Sequence, residues 1–333
     1  MKSRVYSDLD FDRDGKHSGH LILPYQTNQS AYGNIFTPIQ VIKNLEGPTL
    51  LLTAGVHGDE YEGQIALRQF FSKIKSKDIK GRIIIMPAVN YHAVKAGTRL
   101  SPLDGMNMHG AFPGSASSKN PTEELAYYIE TEIMPMTDYM IDLHSGGLSL
   151  DYLPFCSIRL TNNDDLDRRG MDLLRAFNAS LSMVWRQANG RMLSSAAARN
   201  NVVSLGGEFG GASTYSHDSE KIIEKGIRNV LDYLGMTHRN WKPACSKTNI
   251  FEVSGVRSYV YSRLSGIFET NISLGKSVKK NDLCGYVHPL EGDTGRKVHK
   301  FQEDGIVVCK RHLSLVSQGD CLAHTAILSK ITL

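Results

Sequence analysis

The hydrophobic and polar positions of this chain follow two alternating rhythms over roughly the first two thirds of its length. Thr49-Leu50-Leu51-Leu52-Thr53-Ala54-Gly55-Val56 is an apolar run of the kind that makes a buried strand. It leads through His57-Gly58-Asp59-Glu60 into Tyr61–Phe71, where apolar residues recur at helical spacing. Arg82–Pro87 reads as a second buried strand. A helix is predicted over Thr122–Glu130, with Asn120 as N-cap and Pro121 in its first position. Another opens at Asn162-Asn163-Asp164-Asp165 and runs through Leu166, Met171, Leu173 and Leu174. A third spans Ser219–Leu234, with Ile222, Ile223, Ile227, Val230 and Leu231 on one face and Gly235 to stop it. Strands alternating with helices predict an α/β sheet covered on both faces. In such sheets binding sites gather beyond strand ends.

From about residue 248 the rhythm changes. Ser258–Tyr261, Gly266–Glu269, Ser277-Val278 and Gly305–Val308 are short β-prone runs cut by Gly, Asn and Asp, with no helical period. Asn240-Trp241-Lys242-Pro243-Ala244 reads as a linker. The chain is therefore divided into an α/β domain, residues 1–245, and a small all-β domain, residues 246–333.

Three strand ends carry residues with chemistry. His57 and Glu60 sit three apart at the first turn, and imidazole nitrogen and carboxylate oxygen are both good zinc ligands. His-x-x-Glu alone is common and binds nothing in most proteins. A further apolar run ends in Asp142-Leu143-His144-Ser145-Gly146-Gly147. Period-2 alternation puts Asp142 and His144 on one face of that strand. His144 is thus the candidate third ligand, and Asp142 the carboxylate that orients its ring. Two histidines, one glutamate and an open fourth position make the catalytic type of zinc site, not the closed structural type. Val202–Leu205 leads to Gly206-Gly207-Glu208 and Gly210-Gly211, where Glu208 is placed to act as a base. The plain structural alternatives are a hydrogen-bonded strand-end histidine at 144 and a solvated loop carboxylate at 208.

Together these segments resemble the succinylglutamate desuccinylase/aspartoacylase family of the zinc-carboxypeptidase-like superfamily. The matching pieces are Gly55–Glu60, Pro87-Ala88-Val89-Asn90, Arg99, Asp104-Gly105 with Phe112-Pro113-Gly114, Asp142–Gly146, and Glu208 with Gly210-Gly211. They occur in the family's order. The resemblance implies a mixed sheet flanked by helices, followed by a β domain of the biotinyl/lipoyl barrel-sandwich kind. It implies one zinc per chain held by His57, Glu60 and His144, with Glu208 as general base and acid and Arg99 polarising the scissile carbonyl. It implies hydrolysis of the amide of an N-acyl amino acid or related amine, most like members that deacetylate N-acetyl-diaminobutyrate-type substrates.

One departure bears on the substrate. The family's Asn-Arg pair, which clamps a substrate carboxylate, falls at His109-Gly110 here, within Asn107-Met108-His109-Gly110. A guanidinium fork grips a carboxylate strongly and specifically, and Gly110 has none. Asn107 and His109 become the local substrate-binding candidates, His109 as a cation only when protonated. Lys95, Arg99 and Arg191 are the alternative cations.

Composition adds boundaries. The chain has 333 residues, 41% hydrophobic and 22% charged, which is ordinary globular usage. A net charge of +4, with Lys and Arg dispersed, gives no nucleic-acid surface. No run reaches the ~20 apolar residues of a membrane helix. The N-terminus has no apolar leader, and five cysteines without Cys-x-x-Cys spacing suit a reducing cytoplasm. The expected partner is a small molecule, with no nucleic acid or membrane; a homo-oligomer is compatible with the chain. His₂-carboxylate sets also hold iron, cobalt or manganese, so ligand type favours zinc without excluding these. Two other readings stay open: a carboxypeptidase-like or amidohydrolase activity on a peptide or cell-wall fragment, and a non-catalytic scaffold that keeps the fold.

Overall fold

The computed structural model describes residues 2–161, 163–186, 190–238, 248–292 and 295–331. The predicted linker Asn240–Ala244 and the boundary at 245/246 lie outside the described residues. Six α-helices are assigned: α1 (Tyr61–Lys73), α2 (Tyr91–Ala96), α3 (Pro121–Tyr128), α4 (Asp164–Phe177), α5 (Leu193–Arg199) and α6 (His217–Tyr233). The strands up to the end of α6 are β1 (Tyr6–Ser7), β2 (Gly15–Pro24), β3 (Asn34–Asn44), β4 (Thr49–Ala54), β5 (Gly81–Met86), β6 (Tyr139–His144), β7 (Leu150–Tyr152), β8 (Phe155–Arg159), β9 (Leu181–Trp185) and β10 (Val203–Glu208). After it come β11 (Asn249–Glu252), β12 (Tyr259–Tyr261), β13 (Gly266–Thr270), β14 (Ser277–Val278), β15 (Leu283–Pro289), β16 (Lys297–Lys300), β17 (Gly305–Arg311), β18 (Leu315–Val316) and β19 (Cys321–Leu328).

The large sheet is mixed, in the order β1-β2-β3-β5-β4-β6-β10-β8-β9-β11-β19-β17-β14. Its centre, β5-β4-β6-β10, is parallel. Strand β8 runs antiparallel to β10. The sheet then continues through β11, parallel to β9, into the C-terminal strands β19 and β17. A second, antiparallel sheet has the order β16-β15-β13-β18. Of the C-terminal strands, β11 and β17 are thus hydrogen-bonded to β9 and β7 of the preceding part of the chain, whereas β13, β15, β16 and β18 form their own sheet.

Parity along the strands divides the core. Leu50, Leu52, Ile83, Ile85, Ile141 and Leu143 pack with Leu67 of α1, Leu173 of α4 and Ile227 of α6. Their neighbours Leu51, Ile84, Met86 and Met140 face the other way, against Ala126 of α3 and Ala196 of α5. All ten of these strand side chains are within 1% of full burial. At ~1.5–3 kcal/mol for each fully buried large aliphatic side chain, this two-faced pattern fixes the register, because a one-residue slip would exchange the faces.

Local signals act as the sequence suggests, with shifts at the ends. Helix α3 starts at Pro121 and passes at Ile129–Ile133 into a wider π turn, where helix was predicted to continue to residue 130. Asn163 caps α4, its side chain accepting from the N–H groups of Asp165 and Leu166. Helix α6 begins two residues before the predicted Ser219, because Ser216 supplies the cap by accepting from Ser219 N–H.

Candidate active site

The same parity that divides the core aims the functional side chains. Asp142 and His144 follow Met140 on one face of β6, and Ser204, Gly206 and Glu208 lie on the matching face of β10. In the parallel register Glu208 is directly opposite His144, and Gly206 opposite Asp142. Strand β4 ends beside them, with Thr53 opposite Asp142. The turn 55–60 then swings back over the strand ends. Gly58 makes this possible: a Cβ there would lie 2.0 Å from the Ala93 backbone. Glu60 is the N-cap residue of α1, so its carboxylate faces the site from the positive end of that helix.

His57, Glu60 and His144 converge, each offering a donor atom within 4.8 Å of the others. Glu60 Oε1 is 2.6 Å from His57 Nδ1, and Oε2 is 2.8 Å from His144 Nδ1. The other nitrogen of His144 lies 2.8 Å from Asp142 Oδ2, and Thr53 Oγ1 donates to Asp142 Oδ1 at 2.7 Å. The other nitrogen of His57 lies 3.1 Å from Asn107 Oδ1. All three donors are at most 8% exposed. Burial opposes charge on Glu60, but the positive charge and hydrogen bonds of His57 and His144 hold its carboxyl well below the usual range. Burial likewise opposes charge on His144, yet the Asp142 and Glu60 carboxylates raise its proton affinity well above normal. The cluster is therefore organised around a positive charge between imidazole and carboxylate. A divalent metal of the zinc type fits that donor set, two nitrogens and one carboxylate with the outer ring nitrogens already fixed by Asp142 and Asn107.

His57, Glu60, Asp142 and His144 line a cavity of about 350 Å³ together with Arg99, His109, Tyr152, Arg159, Trp185 and Glu208. Glu208 is half-buried, and its Oε2 is enclosed without a hydrogen-bond partner. Burial first, then the charge of Glu60, pushes its carboxyl up to about 8, against the pull of His144, Arg99 and Arg159. Arg99 is more exposed and reaches Glu60 Oε1 at 3.4 Å.

His109 packs against both His57 and His144, tilted to the first and edge-on to the second, with ring centroids 5.7 Å and 5.5 Å away. Burial, with the charges of His144 and His57, pushes it down to about 3. It meets the cavity as a neutral ring, and the cationic role offered by its sequence position is not available near neutral pH. Its Nδ1 has no partner. Of the alternative cations, Lys95 lies 5.9 Å from the Tyr91 ring, and Arg191 Nε donates to Gly110 O at 2.8 Å; neither lines the cavity. Gly110 itself faces open space, with nothing within 4 Å of where a Cβ would be.

The cation that sequence reasoning missed is Arg159, at the end of β8. Its guanidinium carbon lies 5.3 Å from the Trp185 ring centroid, and it forms no ion pair with a described residue. Phe155-Cys156-Ser157-Ile158-Arg159 carried the signal: Cys156 and Ile158 alternate with Ser157 and Arg159, and the polar pair faces the cavity.

The chain is similar to known proteins over most of its length. The profile described as succinylglutamate desuccinylase/aspartoacylase catalytic domain matches residues 46–234. The N-alpha-acetyl-L-2,4-diaminobutyric acid deacetylase of Halomonas elongata is 33% identical over 323 residues, covering 96% of this chain and 94% of that one. The product-bound structure of the ectoine utilization protein EutE (DoeB) from Ruegeria pomeroyi superposes with a TM-score of 0.94 at 34% identity, over 98% of this chain and 100% of that one. The succinylglutamate desuccinylase/aspartoacylase structure from Rhodobacter sphaeroides gives 0.93 at 34% identity, over 99% and 100%. With the profile spanning more than half its length and near-complete coverage of a relative above 30% identity, the chain belongs to the succinylglutamate desuccinylase/aspartoacylase family, whose members hydrolyse amide bonds.

Proposed function

We propose that this protein is a zinc-dependent deacylase that hydrolyses the amide of an N-acyl amino acid, and that Nα-acetyl-2,4-diaminobutyrate is the first substrate to test. The observation that carries the reading is the meeting, in one cavity, of the His57–Glu60–His144 donor set with an unpartnered Glu208 carboxyl and an unpaired Arg159. The Halomonas relative, named for deacetylation of this diamino acid, supports the choice of substrate.

Zinc, when bound by these three side chains, supplies Lewis acidity that polarises a carbonyl and brings the pKa of water from 15.7 toward ~7. Glu208, which lines the same cavity, takes a proton from the attacking water. As the C–O bond forms and the C–N bond breaks, Glu208 returns that proton to the departing amine nitrogen. A carboxyl whose proton affinity is raised toward neutrality is suited to both halves of this transfer. Arg99 is assigned to the acyl oxygen, where a preorganised donor contributes ~3–4 kcal/mol to the barrier. Arg159 is assigned to the substrate carboxylate, and Asn107 and the neutral His109 to the shape of the site. In this proposal residues 1–245 carry the chemistry, and residues 246–333, as a barrel-sandwich unit, close the wall that holds Tyr152.

The test is amine release from zinc-supplied protein against a panel: Nα-acetyl-2,4-diaminobutyrate, N-acetylaspartate, N-succinylglutamate, a dipeptide, and an N-acetyl amine without a carboxylate. The expected result is turnover of N-acyl amino acids, with the carboxylate-free amine and the dipeptide poor. Turnover of the dipeptide alone would move the activity to peptides, and no release from any compound would end the deacylase reading.

A further inference from the structure

Glu62 is the second residue of α1, two positions after Glu60, and is 1% exposed. Its carboxyl faces the Ser145 hydroxyl and the Gly211 amide, yet neither oxygen closes a full hydrogen bond. It forms no ion pair among the described residues. Burying a carboxyl short of hydrogen-bond partners is unfavourable for folding, so its place here calls for a reason other than stability.

The surroundings supply one. Ser145 follows His144, and Gly210 and Gly211 follow Glu208 by two and three residues. Glu62 Oε1 lies 2.6 Å from where a Cβ on Gly210 would sit, so the carboxyl rests directly on that backbone. On the far side Gly210 O accepts from Gly146 N–H at 2.9 Å and Tyr152 N–H at 3.1 Å, and Leu150 O accepts from Ala212 N–H at 2.8 Å. A Cβ on Gly211 would meet Leu150 O at 2.1 Å. The turn after Glu208 is thus held between β7 and Glu62. Glu208 has no hydrogen bond on Oε2 to fix its own carboxyl, so its aim is set by the strand end and by this turn.

We infer that Glu62 is a positioning residue whose carboxyl wedges the Gly210-Gly211 turn against β7 and so sets where Glu208 points. The inference takes the role of Glu208 from the proposed reaction, and its test separates the two. Glu62→Ala and Glu62→Gln are compared with wild type as full-length, zinc-supplied protein. Measured are amide hydrogen exchange at residues 209–213, zinc per chain, and kcat and KM on Nα-acetyl-2,4-diaminobutyrate. In Glu62→Ala, exchange at 209–213 rises by ~10-fold or more while β4 and α4 keep their protection. Zinc stays at one per chain, and kcat falls by about 10²-fold, the cost of an ~1 Å misplacement, with KM within ~3-fold of wild type. Glu62→Gln, of equal length and shape, recovers turnover to within ~5-fold. Unchanged exchange in Glu62→Ala, or loss of zinc from either variant, overturns the inference. If Glu62→Ala does not fold, Glu62→Gln decides: losses like those expected of Ala overturn it. If wild type hydrolyses nothing, the reaction reading fails, and the exchange data alone decide the role of Glu62.

Discussion

Two groups of residues at the cavity differ in how completely their polar atoms are matched. In the first, Glu60, His144, Asp142 and Thr53 form a chain in which every link is 2.8 Å or less. In the second, Glu208 Oε2 and His109 Nδ1 have no hydrogen-bond partner, and Arg159 forms no ion pair, among the described residues. Buried polar atoms in folded proteins are normally satisfied. The matched group is therefore explained by the fold and the ion it can hold, whereas the unmatched group is explained by what enters. The difference separates the residues expected to govern metal binding from those expected to govern substrate and chemistry.

The sharpest way to break that division is Glu208→Gln. If Glu208 moves protons and does not hold metal, kcat falls by about 10²–10⁴-fold, with KM within ~3-fold and zinc unchanged. A steady-state assay beside elemental analysis checks both halves. Near-normal turnover would remove Glu208 from the chemistry, and zinc loss would move it to the metal-binding group.

Asp142→Asn probes the matched group through its contact with His144. It removes a charge from a carboxyl that His144 and Thr53 hold below its usual range against the cost of burial. Zinc affinity should drop by ~10–100-fold, as for other groups that orient a metal-binding histidine, read by competition with a chromophoric chelator. An unchanged affinity would mean that Glu60 alone orients the ring.

Arg159→Leu should raise KM for N-acetyl amino acids by about 10–30-fold, equivalent to losing one charge-assisted contact, and leave a carboxylate-free N-acetyl amine unaffected. If both substrates suffer alike, Arg159 supports the wall and does not read the carboxylate. The smallest effect is expected from His109→Asn: a neutral ring replaced by a neutral amide should change kcat/KM by less than ~5-fold near neutral pH. A large loss would give His109 a direct part in the reaction.

Much of this site was legible before any coordinates, for identifiable reasons. His57, Asp142, His144 and Glu208 stand at the ends of apolar runs, and strand ends of a covered sheet are where ligands reach the surface. Alternation alone put Asp142 and His144 on one face, and they lie 2.8 Å apart. Arg159 was just as readable, through the alternation of Ser157 and Arg159 with Cys156 and Ile158. What sequence does not show is that β8 reaches the cavity by pairing with β10, 49 to 53 residues further on in the register Glu208–Phe155 to Gly206–Ser157. The neutrality of His109 could not be read from sequence at all, because it depends on burial against two other histidines. Nor could the hydrogen bonding of β11, β19 and β17 onto the catalytic sheet, since a change of texture at residue 248 gives no information on which strands pair.

The measurement that tests the division of the cavity most directly is zinc per chain, by elemental mass spectrometry, for wild type, His144→Ala, Glu208→Gln and Arg159→Leu purified side by side. The account predicts about one zinc per chain in wild type, Glu208→Gln and Arg159→Leu, and none in His144→Ala. A wild type that takes up no zinc when it is supplied, or zinc lost from Glu208→Gln and Arg159→Leu as fully as from His144→Ala, would contradict it.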